Sequence, residues 1–223
     1  MLVGTKMRLF ALTFLTSLTY ASVAFVLLGQ QVHAETLASR AEGYSEMVSQ
    51  SLTRDEFWAI IDHSVQFEAH PEVQMVDLHA SLMRLSPEQI VKFEQLFGET
   101  MRESYNWDLW GAAYVANDGA SDDGFEYFRC WLISKGRRAF EQVLRDPDSL
   151  ADIIADGESD GLEFEEIAYV ARNAWSKKTG KDWNEMPDLA HMIYEVAPEG
   201  TPFSEDQNEL RRKYPKLWQR FGV

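Results

Sequence analysis

Apolar residues in this chain recur at three- and four-residue intervals, a spacing that predicts a succession of amphipathic helices from about residue 53 to the C-terminus. Thr53 and Glu56 have capping-box spacing ahead of Phe57, Ile60, Ile61 and Val65, so a first helix is predicted over about Arg54 to Phe67. Leu78, Leu82 and Leu85 carry the pattern into a second. Ser86-Pro87-Glu88-Gln89 then combines a capping serine, a proline at the first helical position and a capping-box glutamine. The third helix runs from there to about Ser104, with Ile90, Phe93, Phe97 and Met101 on its apolar face and Lys92, Glu94, Gln95 and Glu99 opposite.

A fourth helix, from about Trp107 to Ala116, leads into the turn signal Asn117-Asp118-Gly119. Beyond it Phe125, Phe128 and Leu132 form a stripe for burial, and Gly136 allows a bend before Phe140, Val143 and Leu144. Asp146-Pro147-Asp148-Ser149 stops that helix and supplies capping side chains for the next. Phe164, Ile167, Ala168, Ala171 and Trp175 mark another amphipathic helix ending at Gly180. One last helix is predicted around Glu205 to Trp218. No alternating run is long enough for a strand, so the expected fold is mainly α, a single compact multi-helix domain behind an N-terminal signal or anchor segment.

That leading segment changes the picture of where the domain works. Lys6 and Arg8 precede the uncharged stretch LFALTFLTSLTYASVAFVLL, and Val32 and Ala34 fit the small residues required before a signal-peptidase cut. The expected organisation is a signal peptide over residues 1–34, a linker over 35–52 and the helical domain over 53–223, exported to the periplasm or secreted. Two other readings stay open. The stretch over residues 9–28 reaches the ~20 residues needed to span a bilayer and so could remain as an uncleaved anchor, or translation starts at Met47 and the domain is cytoplasmic. The membrane enters only through this segment.

A formal charge of −15, from 36 acidic against 21 basic residues, repels a phosphate backbone or an anionic bilayer surface, so nucleic acid is not an expected partner. Cys130, the only cysteine, excludes an internal disulfide; between Arg129 and Trp131 it reads as a buried thiol rather than a nucleophile. No P-loop, dinucleotide fingerprint or serine-nucleophile motif is present. His63, His70, His79 and His191 form no pair at metal-ligand spacing with a third ligand to match.

The blocks DEFWAIID (residues 55–62), LSPEQIVKFEQLF (85–97), WDLWGAAY (107–114), SDDGFEYFRCWLISKG (121–136) and DPDSLA (146–151) occur in order, and together they resemble the bacterial family filed as domain of unknown function 4240. The tail YPKLWQRFG is similar as well. The resemblance implies a small, mainly helical domain and carries no assigned activity.

Candidate chemistry concentrates between Tyr105 and Trp131, where aromatics, five carboxylates and one arginine surround the Gly-rich turn. Ser121 is placed to cap the next helix, and Asp122 and Asp123 fall in its first turn, where the helix dipole and free amides favour negative charge. Capping does not account for Glu126 and Arg129, which follow Asp122 at spacings of four and seven on one helical face. Asp108 and Tyr105, from the preceding helix, face the same place if the two helices pack as a hairpin across the Asn117 to Ala120 turn, and Trp110 of that helix is a further candidate.

The candidate ligand-binding set is therefore Tyr105, Asp108, Trp110, Asp118, Ser121, Asp122, Asp123, Glu126 and Arg129, with Asp122 and Glu126 the candidate ligands for a divalent cation. No other cofactor is evident. A second acidic loop, DGESDGLEFEE from Asp156, starts like a calcium loop but has Ile167 where the bidentate glutamate belongs. Three functions fit: a module binding a partner protein or small polar ligand through the NDGASDDGFEYFR segment, with Trp107, Trp110 and Tyr127 as contact area; a carboxylate-based, cation-dependent hydrolase; or an immunity-type protein that neutralises a basic partner.

Overall fold

The fold is described from a computed structural model covering residues 51–156, 161–187 and 197–222. The expected signal, the 35–50 part of the linker, the centre of the second acidic loop and His191 lie outside these residues. Helices follow one another as α1 (Arg54–Ser64), α2 (Pro71–Leu82), α3 (Pro87–Glu103), α4 (Trp107–Ala116), α5 (Asp122–Ser134) and α6 (Arg137–Arg145). A 3-10 turn (Pro147–Asp152) and a second (Glu165–Tyr169) lead into α7 (Val170–Thr179), and α8 (Gln207–Lys213) and α9 (Pro215–Phe221) complete the order. Among the described residues there is no strand, only an isolated bridge between Asn106 and Glu199. No helix among them is long and apolar enough to cross a membrane.

The local signals explain the helix starts. Thr53 and Ser86 each accept the third amide of their helix while Glu56 and Gln89 reach back, forming both expected capping boxes. Asn106 and Ser121 cap α4 and α5 in the same way, through Leu109 N at 2.8 Å and Gly124 N at 3.1 Å. Gly180 ends α7 in the left-handed conformation expected of it, at φ 71°.

α5 lies at the centre. From Phe128 to Ser134 every residue is buried, Cys130, Leu132 and Ile133 fully, because other helices pack around its whole circumference. α1, α3, α4 and α6 and the Glu165–Tyr169 turn all touch it. A buried amide, Gln74 Nε2, donates to Ser64 Oγ and to Ser134 O, tying α1, α2 and α5 at one point. Cys130 is the buried thiol expected, 3.9 Å from the Met101 sulfur, with its pKa pushed up to about 12 by burial.

The structure departs from the sequence pattern in detail: the first helix ends at Ser64 and continues as a 3-10 turn to Phe67, and α7 starts at Val170 behind the Glu165–Tyr169 turn. Leu85 falls beyond α2, in the turn before Ser86. The single helix expected around Glu205 to Trp218 is two, since Pro215 cannot continue α8 and starts α9 instead. Asp148, expected to cap the next helix in sequence, caps α9: its carboxylate accepts Lys216 N and Leu217 N, each at 3.0 Å. Neither α6 nor α9 has a side-chain cap from its own N-cap residue, and α6 likewise takes one from afar, Asp62 Oδ1 accepting Arg137 N at 2.8 Å.

The C-terminal helices close over α4. Tyr214 Oη donates to Asp108 O at 2.8 Å, and its ring lies where a side chain at position 111 would have to go, which accounts for Gly111 inside an otherwise apolar helix.

Candidate functional site

The Asn117–Ala120 turn is held from three sides. Gly119 N donates to Tyr114 O at 2.8 Å, the Trp110 indole donates to Ala120 O at 3.0 Å, and Asn117 Oδ1 accepts Leu162 N at 3.1 Å. Asp118 takes the left-handed conformation at φ 54°, one that aspartate tolerates better than most residues. Its side chain points to solvent, as do Asp122 and Asp123 in the first turn of α5. Among the described residues these three aspartates have no ion-pair partner, so Asp122 and Asp123 sit against the free amides of α5 alone.

The other candidates divide between different neighbours. Arg129 is only 5% exposed; its Nη1 donates to Met101 O at 2.7 Å and its guanidinium lies over the Tyr105 ring, 4.7 Å from the centroid, and over Phe125. It therefore turns inward, against the C-terminal carbonyls of α3, where a cation is favoured by the helix dipole. Tyr105 is placed with it. Trp110 is buried and stacks between Trp107 and Phe125, with centroids 4.9 and 4.8 Å away. Asp108 pairs with Lys213 of α8 on the far side of α4. The acid–acid–base line expected along α5 thus ends at Glu126, because the C-terminal end of α3 and Tyr105 cover the same face of α5 one turn further on, at Arg129.

Glu126 and Asp123 are brought instead to a face that sequence periodicity did not single out. Phe164 N donates to Tyr127 O at 3.2 Å, docking the 162–169 segment along α5. Glu165 then stands between two phenols: Tyr169 Oη donates to its Oε1 at 3.0 Å, and Tyr127 hydrogen bonds to it as well. Burial, followed by the charges of Glu165, Asp123 and Glu126, raises the Tyr127 pKa. The hydrogen bond to Glu165 and then burial push Tyr169 up to about 12.

Trp183 meets Tyr169 edge-on at 6.2 Å, and both are 40% exposed. The result is a surface on which the open Tyr169 ring adjoins Glu165 and Trp183, and the half-buried Tyr127 brings Asp123 and Glu126 alongside. The short spacing of Tyr169 and Glu165 on one helical turn was the available signal; the approach of Trp183 and of α5 was not readable locally.

Among the described residues no three His, Cys, Asp or Glu side chains gather as a metal-holding group. Of the second acidic loop, Asp156 pairs with Arg220 at 2.8 Å. The arrangement as a whole presents negative charge and aromatic edges to solvent, chemistry suited to holding an ammonium or guanidinium group by ion pairing and cation–π contact.

A family model described as a protein of unknown function, DUF4240, matches residues 52–177, from the residue before Thr53 to the last turn of α7. No curated protein and no solved structure matches the chain.

Proposed function

The chain belongs to the DUF4240 family, and from that premise we propose that it is a binding module that takes a basic segment of a partner protein on the face formed by Tyr127, Glu165, Tyr169 and Trp183. The observation that carries this reading is the exposure of Tyr169, which is hydrogen-bonded to Glu165 and meets the equally exposed Trp183 edge-on, with Asp123 and Glu126 close enough to bear on Tyr127. An exposed tyrosine ring beside a carboxylate, with a tryptophan packed edge-on against that ring, matches a lysine or arginine side chain in both charge and shape. The net charge of −15 steers such a partner toward the domain, and neutralising a basic protein, as immunity-type proteins do, is one form this role takes. With residues 1–34 as an export signal, the partner is met outside the cytoplasm.

Of the NDGASDDGFEYFR segment, Asp123 and Glu126 bring their charge to this face beside Tyr127, while Trp110 and Arg129 are buried. The hydrolase reading needs carboxylates converging in a concave site, and Asp118, Asp122 and Asp123 are exposed instead.

The test is isothermal titration of the full-length chain with a peptide of alternating lysine and glycine, and with its glutamate counterpart. Saturable binding of the lysine peptide, weakened by salt and at least tenfold weaker in Trp183→Ala and Glu165→Gln, is expected. Glutamine at position 165 keeps an acceptor for the two tyrosines, so folding is preserved. Equal binding of both peptides, or affinity indifferent to Trp183→Ala, would overturn the assignment.

A further inference from the structure

At the other end of α5, about 20 Å from Asp122 at 1.5 Å per residue, a groove of about 540 Å³ opens where the end of α1, the α5–α6 corner and the 3-10 turn after α6 meet. It differs from the acidic face in that its walls carry both signs of charge, Asp62 and Asp152 against Lys135 and Arg138, over an apolar floor that includes Val65 and Ile153. Three of the four charges are engaged. Asp152 accepts from Lys216 Nζ at 3.0 Å, and Asp62 Oδ1 accepts Arg137 N at 2.8 Å. Lys135, with a side chain only 7% exposed, lies 3.5 Å from Glu68 and 4.9 Å over the Trp131 ring. Arg138 is exposed and, among the described residues, has neither hydrogen bond nor ion pair.

A simple anion entering this groove would gain Arg138 but meet two carboxylates, and a simple cation would gain Asp62 but meet Lys135 and Arg138. A ligand carrying both charges satisfies both walls, and the volume lies within the range of about 300–1,000 Å³ usual for small-molecule sites. We propose that the groove binds a free α-amino acid, its carboxylate on Arg138, its ammonium on the second oxygen of Asp62 and its side chain along Val65 and Ile153. The guanidinium offers a carboxylate two parallel N–H donors, which a lysine at this position would not. Asp62 has one oxygen committed to the N-terminus of α6, so an occupant held by the other oxygen bears directly on the α1–α6 contact.

Isothermal titration of the full-length chain against the common α-amino acids, N-acetyl-leucine and leucinamide tests this. At least one amino acid is expected to bind saturably, with the acetylated and amidated compounds at least tenfold weaker because each lacks one charge. Arg138→Gln and Asp62→Asn, the latter keeping an acceptor for Arg137 N, should each reduce that affinity at least tenfold. Binding of the lysine–glycine peptide should be unchanged in both variants, which separates this groove from the acidic face. No saturable binding by any amino acid, blocked compounds binding as well as the parent, or affinity unaffected by Arg138→Gln would overturn the proposal.

Discussion

Asp62, at the end of α1, accepts the main-chain N–H of Arg137 through its Oδ1 at 2.8 Å, and so caps a helix that begins 75 residues later. Gly136, the residue in the N-cap position, has φ 87°, and a Cβ placed on it would lie 2.7 Å from the same oxygen. The glycine is required twice over, for its left-handed backbone and for the space the aspartate occupies. Asp62→Ala is expected to cost about 1 kcal/mol, the worth of an N-cap. Gly136→Ala is expected to cost about 1–3 kcal/mol from the backbone alone, and more from the contact. The double variant should lose less than the sum of the singles, since removing the carboxylate relieves the collision; urea unfolding of the four proteins measures this, and strict additivity would contradict it.

Asp148 performs the same service for α9, with Lys216 N and Leu217 N as donors, and it is buried. Alanine there leaves two amides without their acceptor, and a loss of about 2 kcal/mol is expected, with asparagine retaining about half. Hydrogen exchange should show amides of α9 losing protection before those of α5. Equal loss of protection in both helices would mean that α9 does not open separately.

Arg129 is the candidate residue most changed in meaning by its surroundings. It donates to Met101 O and Phe125 O, and its guanidinium lies against the rings of Tyr105 and Phe125. Arg129→Met keeps much of the volume but removes charge-assisted hydrogen bonds, and about 2–3 kcal/mol of stability should go with them. Affinity for the lysine peptide, measured below the unfolding transition, should hardly alter. An unchanged unfolding midpoint would show that the inward bonds contribute little.

Asp122 stands in the first turn of α5, exposed and without an ion-pair partner among the described residues. Asp122→Asn is expected to lower stability by about 0.5–1 kcal/mol through the lost charge–dipole interaction, and the difference should shrink as salt is added. A gain in stability would indicate that repulsion from Asp123 outweighs the dipole.

Tyr169 titrates near 12 against about 10 for an unfolded tyrosine. Since the folded-state pKa is the higher, the stabilising linkage is fully present below pH 10 and is lost as the pH rises from 10 through 12. Tyr127 and Tyr214 shift in the same direction, the latter through burial and then the charge of Asp108. An ultraviolet titration of phenolate formation should show these groups ionising late, and Glu165→Gln should bring Tyr169 back toward its ordinary value. A Tyr169 curve indifferent to that substitution would rule out Glu165 as the cause.

The amino-acid sequence by itself determined the helical nature of the chain, the capping boxes at Thr53 and Ser86, the cap at Ser121, the turn at Asp118-Gly119 and the burial of Phe125, Phe128 and Leu132. Each of these depends on residues within a turn or two of one another, where 3.6-residue periodicity and three-residue cap spacing fix which groups meet. It also located the acidic turn, though not which of the nearby polar side chains face outward. Only the tertiary structure decided that Asp62 caps α6, that Asp148 caps α9, that Arg129 is sealed between α3 and α5, and that Trp183 meets Tyr169. These pairings join residues 14 to 75 positions apart, and a lone aspartate or arginine carries no periodic signal of which distant amide or ring will reach it. That choice is made when the helices pack, because each buried polar group must then find a partner from whatever elements close around it.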